Sequence, residues 1–339
     1  MALIMAIETS CDETSVAVVR DGFEILSNVI SSQIDIHKKF GGVVPEVASR
    51  KHLELINGVI KEALDTAEVG FSALDAVATT NGPGLVGALL VGVSAAKAIA
   101  YALDKPLIAV NHMEGHIHAN FLVDPHLEFP LICLVVSGGH TDLVVMKGHG
   151  SYKVVGRTRD DAAGEAFDKV ARTMGLGYPG GPLVDSLAAS GNPSAVRLPR
   201  AYLEEGSLDF SFSGLKSAVI NYLHRARQRG EETDKADLAA SFQQAVVDVL
   251  VHKTLEASEQ YYARTVLLAG GVAANRLLRS SMTEAASKYG LRLVYPPVIL
   301  CTDNAAMIAC AAYYRYLRGE FSDLTLNAVP GLELDEIDC

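Results

Sequence analysis

Two stretches of this chain repeat one design, and that repeat limits what it can fold into more than any other feature. Residues 3–7 are an apolar run, Glu8-Thr9-Ser10-Cys11-Asp12-Glu13-Thr14 is a polar turn, and residues 16–19 are apolar again. Residues 131–136, the turn Ser137-Gly138-Gly139-His140-Thr141-Asp142 and residues 143–146 follow the same plan. Short β-forming runs on either side of a turn predict a hairpin in each case. Two such hairpins roughly 130 residues apart, each opening a part of the chain, predict a duplicated lobe. Neither tip is the Asn-Gly that a plain hairpin prefers. The first tip, rich in carboxylates and hydroxyls, reads as a ligand site or as a solvated loop. In the second, Gly138 and Gly139 let backbone N–H groups approach an anion, or simply make a tight turn.

Size agrees with two bodies. At 339 residues the chain exceeds one small core, and length alone suggests two domains. The expected division is residues 1–127 and 128–339, with a final helix at about 304–318 as a candidate to pack back on the N-terminal lobe. Apolar content of 49% with 20% charged residues marks a packed globular chain.

Within the first lobe, residues 31–45 read as a loop carrying His37, Lys38 and Lys39, and residues 46–64 as an amphipathic helix. A strand at 74–79 leads to Asn81-Gly82-Pro83-Gly84, a normal helix entry. The helix that follows, 84–103, is very apolar but is interrupted by Gly87, Gly92, Ser94 and Lys97. A membrane span needs about 20 predominantly apolar residues with few or no charges, so this reads as a buried helix. The opening residues lack a basic segment and a long apolar core, so no signal peptide is read.

In the second lobe, helices are expected at 162–174, 237–258, 273–289 and 305–317, with strands at 265–268 and 291–295. The run from Gly175 to Pro182 holds four glycines, Gly175, Gly177, Gly180 and Gly181, and suggests close backbone approach to a ligand. Ala269-Gly270-Gly271-Val272 between a strand and a helix resembles a nucleotide anchor, although no Walker A sequence occurs. The tail from Leu332, with Glu333, Asp335, Glu336 and Asp338, is expected to fray.

His112 and His116 are four residues apart, so on a helix they lie ~40° apart on one face and can reach a single transition-metal ion. The strand at 106–110 would deliver them to the carboxyl end of a sheet, where open α/β folds place ligands. Two ordinary histidines on a half-buried helix are the plain alternative. Asp303 also has two readings, a helix N-cap or the carboxylate of a His-His-carboxylate site.

With 40 acidic against 29 basic residues the net charge is −11, which excludes nucleic-acid binding by bulk electrostatics and leaves local clusters or partners. Lys38-Lys39 and Arg50-Lys51 are the favoured clusters. The run Arg225, Arg227, Arg229 ranks below them, because basic residues suit a helix C-terminus anyway. Five scattered cysteines, Cys11, Cys133, Cys301, Cys310 and Cys339, point to reduced thiols.

Taken in order, these segments resemble one family. They are the hairpin from Glu8 to Thr14, Asn111-His112-x-x-x-His116, Val136-Ser137-Gly138-Gly139-His140-Thr141, Asp160-Asp161 and Gly164-Glu165-Ala166-Phe167-Asp168-Lys169. Gly180-Gly181-Pro182, Phe210-Ser211-Phe212-Ser213-Gly214, Gly270-Gly271-Val272-Ala273-Ala274-Asn275 and Thr302-Asp303-Asn304 complete the series. The chain is similar to the TsaD family, tRNA N6-adenosine threonylcarbamoyltransferases, once described as O-sialoglycoprotein endopeptidases.

The resemblance implies an α/β, duplicated two-lobe fold of the actin, Hsp70 and sugar-kinase (ASKHA) type with a central cleft. It implies transfer of the threonylcarbamoyl group of threonylcarbamoyl-AMP to N6 of adenosine 37 in tRNAs that read codons beginning with A, releasing AMP and forming t6A. It also implies a cytoplasmic setting, no membrane, and two partners, a TsaB-like shorter paralogue and a TsaE-like P-loop ATPase. His112, His116 and Asp303 are implied metal ligands, for iron(II) or zinc. Val135, Val136, Ser137, Gly138, Gly139, Asp168, Gly181, Asp185 and Asn275 are implied to hold the donor. His140 resembles the bacterial branch, and Val135 stands where archaeal and eukaryotic relatives carry a metal-binding Tyr. Asp12, Glu13 and His140 are the candidates for orienting the acceptor amine or moving its proton.

Two rivals share features with this reading. A zinc protease needs Glu directly after the first His, where this chain has Met113 and places Glu114 one position late. A kinase or ATPase on the same fold would favour Mg²⁺ with oxygen ligands, against the paired histidines.

Overall fold

The computed structural model describes residues 1–204 and 206–334. Asp335, Glu336, Asp338 and Cys339 lie outside the described residues. The chain divides into two compact units. The first holds Met1–Leu127, Gly148–Tyr152 and the described chain from Pro296 on, and the second holds Glu128–Lys147 and Lys153–Tyr295.

The first unit starts with β1 (Leu3–Glu8), β2 (Glu13–Arg20) and β3 (Glu24–Ser32). Then come the short α1 (Ile34–His37), α2 (Pro45–Ala67), β4 (Ala76–Gly82), α3 (Val86–Leu103), β5 (Leu107–Asn111) and α4 (His112–His118). The strands make one sheet in the order β3-β2-β1-β4-β5. β1 runs antiparallel to β2 and parallel to β4, which is parallel to β5. The loop expected at 31–45 is therefore partly structured: β3 runs into it and α1 interrupts it.

The second unit repeats the plan. β6 (Leu131–Val136), β7 (Thr141–Gly148) and β8 (Ser151–Arg157) precede α5 (Ala163–Thr173), α6 (Gly180–Ala188), α7 (Ser213–Arg229) and α8 (Lys235–Gln260). β9 (Thr265–Ala269), α9 (Arg276–Tyr289) and β10 (Arg292–Val294) complete it. The sheet order is β10-β9-β6-β7-β8, with β6 antiparallel to β7 and parallel to β9. Numbered within each unit, both sheets read 3-2-1-4-5. The duplication expected from two hairpins extends to five strands, because each hairpin carries a third strand that the sequence pattern did not disclose.

After β10 the chain contributes α10 (Val298–Cys301) and α11 (Ala305–Arg318) to the first unit. Alternation along the strands builds a three-layer body there. Ile4, Ala6, Ala17, Val19, Ala78 and Val110 face Met307, Ile308 and Ala311 of α11. Met5, Ile7, Val16, Val18 and Val77, the other parity, face Ile56 and Ile60 of α2 and Val91 and Ala96 of α3. Successive strand residues point to opposite faces, so an apolar strand such as β1 needs a cover on both sides. Helix α3 is long and apolar enough to cross a membrane by length and composition. Its Ala88, Leu89, Val93, Ala96 and Ala100 face is buried, and it packs on β4 and α2.

Candidate functional site

In the first unit three side chains from distant parts of the sequence converge. Asn111, the last residue of β5, caps α4: its side-chain oxygen accepts from the backbone N–H of Met113 at 2.8 Å and of Glu114 at 3.4 Å. The cap sets the start of the helix, and His112 and His116 follow on one face with ring centroids 4.6 Å apart. Helix α4 lies against α11 at Gly115, where a Cβ would come within 2.5 Å of Ile308 Cδ1. That close approach, eased by the missing side chain of Gly115, brings the histidines to Asp303, just before α11. His112 Nε2 is 3.4 Å and His116 Nε2 3.3 Å from Asp303 Oδ1.

The N-cap reading of Asp303 gives way to another residue. The cap of α11 is Asn304, whose side chain accepts from Met307 N–H at 3.1 Å. The Asp303 carboxylate is thereby free for the histidines.

Behind His112 stands Glu8, a residue that the sequence did not single out. It is fully buried, and its Oε2 lies 3.0 Å from His112 Nδ1 and accepts from the Thr80 hydroxyl at 2.5 Å. Oε1 accepts from Ser10 N–H at 2.5 Å. A carboxylate on the far nitrogen of an imidazole fixes the ring and makes the other nitrogen a better metal ligand.

The electrostatics fit a cation site. Burial pushes the Asp303 carboxyl up, but His112 and His116 overcome it and hold the group well below the usual carboxylate range. Burial likewise opposes ionisation of Glu8, which His112 holds below its ordinary value. Burial pulls His112 down, yet the charges of Asp303 and Glu8 raise it well above an ordinary imidazole. His116 is lowered by burial; its Nε2 faces Asp303 Oδ1 at 3.3 Å, and its buried Nδ1 has no hydrogen-bond partner among the described residues. A buried polar atom left without a partner is costly. Two imidazole nitrogens and one carboxylate oxygen, mutually within 4.8 Å, suit iron(II) or zinc better than Mg²⁺.

Asp12 and Glu13 belong to the same unit. Asp12 is buried, and Glu13 accepts from the Ser32 hydroxyl at 3.1 Å. Burial, reinforced by the charges of Asp303 and Asp12, pushes the Glu13 carboxyl up to about 9. Glu114 is committed elsewhere: buried, it pairs with Arg315 at 2.7 Å and accepts from Tyr152 OH at 3.0 Å. This removes it as a protease-type base.

The second unit gathers the other expected residues. Val135 and Val136 are fully buried, so only their backbone can meet a ligand. Beyond them Ser137 Oγ accepts from Gly139 N–H at 3.3 Å and His140 N–H at 3.1 Å, which shapes the glycine turn. A Cβ on Gly138 or Gly139 would meet no atom within 4 Å, so these glycines border open space. Gly164 packs under the turn, its N–H donating to Ser137 O at 3.2 Å.

Asp168 accepts from Gly180 N–H at 2.6 Å at the start of α6, and burial raises its carboxyl pKa. Gly181 is open, with nothing within 4 Å of a Cβ. Asp185 is paired with Arg276, Nε to Oδ2 at 2.6 Å, and both line a cavity of about 380 Å³. Asn275 caps α9 through Leu278 N–H at 2.9 Å and donates to Gln243 Oε1 at 3.1 Å. Its amide is therefore already engaged in the fold. Of the basic clusters, Lys38, Arg50 and Lys51 each pair with a carboxylate three or four residues away, Asp35, Glu46 and Glu54.

Comparisons with known proteins give the family and the fold. The family model described as "TsaD: tRNA N6-adenosine threonylcarbamoyltransferase" matches residues 24–310. A protein of that name from Moorella thermoacetica is 62% identical over 98% of this chain and 97% of its own length. One from Symbiobacterium thermophilum is 63% identical, over 98% and 97%, and one from Clostridioides difficile is 58% identical, over 98% and 99%. Among solved structures, full-length HypF in a phosphate- and nucleotide-bound form aligns with a TM-score of 0.63 at 16% identity. That match covers 95% of this chain and 47% of HypF. Component A of (R)-2-hydroxyglutaryl-CoA dehydratase from Acidaminococcus fermentans aligns with a TM-score of 0.55 at 16% identity, over 94% and 98%. These likenesses show the fold alone: it is the duplicated actin, Hsp70 and sugar-kinase type.

Proposed function

The chain belongs to the TsaD family of tRNA N6-adenosine threonylcarbamoyltransferases, and on that premise we propose how its residues divide the work. The reaction forms t6A on tRNA. The donor is threonylcarbamoyl-AMP, and the acceptor is N6 of adenosine 37 in tRNAs that read codons beginning with A. The N6–C bond forms as the bond between carbamoyl carbon and phosphate oxygen breaks. AMP leaves with the electron pair, and the N6 proton passes to a base.

The observation that carries the proposal is the His112, His116, Asp303 constellation with Glu8 behind it. These three ligands would hold iron(II), or zinc in its place. Such an ion supplies Lewis acidity toward oxygens on which negative charge develops. Glu8 positions His112, and Asn111 and Asn304 position the helix ends.

The turn of Ser137, Gly138 and Gly139 offers backbone N–H groups to phosphate. Asp168 and Asp185 are the acceptors for ribose hydroxyls, with Gly181 leaving room for the sugar and the backbone of Val135 and Val136, with Asn275, shaping the floor. An exocyclic adenine amine is a weak nucleophile, so its proton must be taken as it attacks. Asp12, Glu13 or His140 orients the amine, and Asp12 or His140 receives that proton, because the Glu13 carboxyl, raised to about 9 by burial, already carries one near neutral pH. A shorter TsaB-like paralogue and a TsaE-like P-loop ATPase are the expected partners, in the cytoplasm.

The test is mass spectrometry of nucleosides from tRNA incubated with the chain, threonylcarbamoyl-AMP and the two partners. Threonylcarbamoyladenosine should appear and should vanish with Asp303→Ala. Its absence with the wild-type chain would reject the proposal.

A further inference from the structure

Helix α7 buries Leu215, Val219, Leu223 and Ala226 along one stripe. Another stripe at helical spacing, Gly214, Ser217, Asn221, Tyr222 and Arg225, is exposed. Together with the extended segment around Arg197 it encloses a cavity of about 360 Å³. The segment is held firmly from behind. Val196 N–H donates to Ser241 Oγ at 3.1 Å, and Arg200 donates to Leu198 O at 2.9 Å and to Asp248 at 2.8 Å.

Charge in the cavity is one-sided. Arg200 has Asp248, Arg159 has Asp209 and Glu204, and Arg229 has Glu231. Arg197 and Arg225 have no carboxylate partner among the described residues, and no acid lines the cavity. Two guanidiniums facing one hollow on so acidic a chain form a local field for an anion. Their planar forks suit phosphate oxygens. Tyr222, 38% exposed, adds a ring face on which a base can stack. Ser217 and Asn221 add hydroxyl and amide groups, and Arg227 continues the positive charge along the helix end.

We propose that this cavity binds the phosphodiester backbone of RNA, with Arg197 and Arg225 on phosphate and Tyr222 against a base or ribose. It rests on the reading that the chain acts on tRNA, and it moves the docking surface from Lys38, Lys39, Arg50 and Lys51, which sequence favoured, to α7. Lys38, Arg50 and Lys51 already hold local carboxylates, whereas Arg197 and Arg225 have none among the described residues.

The test compares the full chain with Arg197→Ala/Arg225→Ala in filter binding of a tRNA transcript across salt concentrations. One phosphate contact contributes a factor of about [salt] to the power −0.9, or about fivefold at 0.15 M. The double variant should therefore bind about thirtyfold more weakly, with a salt slope shallower by about 1.8. Tyr222→Ala should weaken binding with no change in that slope. AMP affinity and metal content should match wild type, since neither Arg197 nor Arg225 is among the residues proposed to hold them.

Binding within threefold of wild type, an unchanged salt slope, or no wild-type binding even at low salt would overturn the proposal. So would arginine-dependent binding of inorganic phosphate with tRNA affinity unmoved, which marks a small-anion pocket. The titration needs no turnover. A chain that binds tRNA through these arginines yet never forms threonylcarbamoyladenosine would refute the proposed reaction and leave this surface standing.

Discussion

Glu8→Gln removes one negative charge and leaves the side-chain shape nearly unchanged. Glu8 is wholly buried, 3.0 Å from His112 Nδ1, and bonded to Thr80 and Ser10. A hydrogen bond to a charged group contributes roughly 1.5–3 kcal/mol and a neutral one roughly 0.5–1.5. The substitution should therefore weaken the hold on His112 by about 1–1.5 kcal/mol, or about tenfold in metal affinity. That falls at the low end of the 10–100-fold losses, approximately, that follow removal of outer partners of metal ligands. The assay is competition for zinc against a chelator of known affinity, with thermal melts of the metal-free proteins as a check on folding. The variant should fold, bind one ion, and lose it at about a tenth of the chelator concentration that strips the parent. Zinc affinity within twofold of wild type, with matching metal-free melts, would refute the view that Glu8 tunes the site.

Three further outcomes follow from the same geometry. The double variant His112→Ala/His116→Ala should lose the transition metal found by elemental analysis in the wild-type chain, and equal metal in both would exclude this triad. The Cβ of Gly138→Val would meet no atom within 4 Å beyond its chain neighbours, so the fold should survive while AMP binding, read by calorimetry, falls at least tenfold; unchanged affinity would make the turn merely structural. His149 stacks on Tyr314 with centroids 3.4 Å apart, and burial, followed by the charges of His118 and Arg318, lowers its pKa from 6.5 to about 3. The folded chain keeps it neutral while the unfolded chain protonates it, so its contribution is complete above pH 6.5 and is lost as pH falls toward 3. Its partial exposure keeps the slope below the limit of about 1.4 kcal/mol per pH unit for one proton. Denaturant melts of His149→Phe should show a shallower acid limb, and identical limbs would refute the assignment.

The fold was legible where burial imposes a period. The apolar runs of β1, β2, β6 and β7 face covered surfaces on both sides, and their hairpins disclosed the duplication. The third strand of each sheet escaped because an edge strand is only partly covered. Along β3, Ser27 is buried while Ile25 is exposed, and in β8 only Gly156 is fully buried. Such strands are held by backbone pairing with a neighbour more than by a buried apolar face, and sequence carries little record of backbone pairing. Glu8 escaped for a related reason. Its partners Thr80 and His112 lie 72 and 104 residues away, and only the assembled sheet brings them to the end of β1.

Asp303 shows how a local rule and a distant one compete for a residue. Asp before a helix satisfies the first turn as well as Asn does, so sequence left cap and ligand as equals. The fold separates the two tasks by one position. Asn304 caps α11 and Asp303 turns to the histidines, just as Asn111 caps α4 and His112 follows it. A neutral amide bonds the free N–H groups of a helix start without adding a second charge beside a cation site. In both places, then, the chain gives the capping to a residue that cannot compete for the ion. The cap in turn fixes the helix end from which the ligand projects. Exchanging the two, as Asp303→Asn/Asn304→Asp, keeps an acceptor for Met307 N–H but sets a buried carboxylate against Thr302 O, to which the Asn304 amide donates at 2.8 Å, so stability should fall by about 1–3 kcal/mol. Zinc affinity should collapse, because the carboxylate now faces Met307 N–H. A swapped chain that still binds zinc within threefold of the parent would show that neither the position of the charge nor its freedom from capping constrains the site.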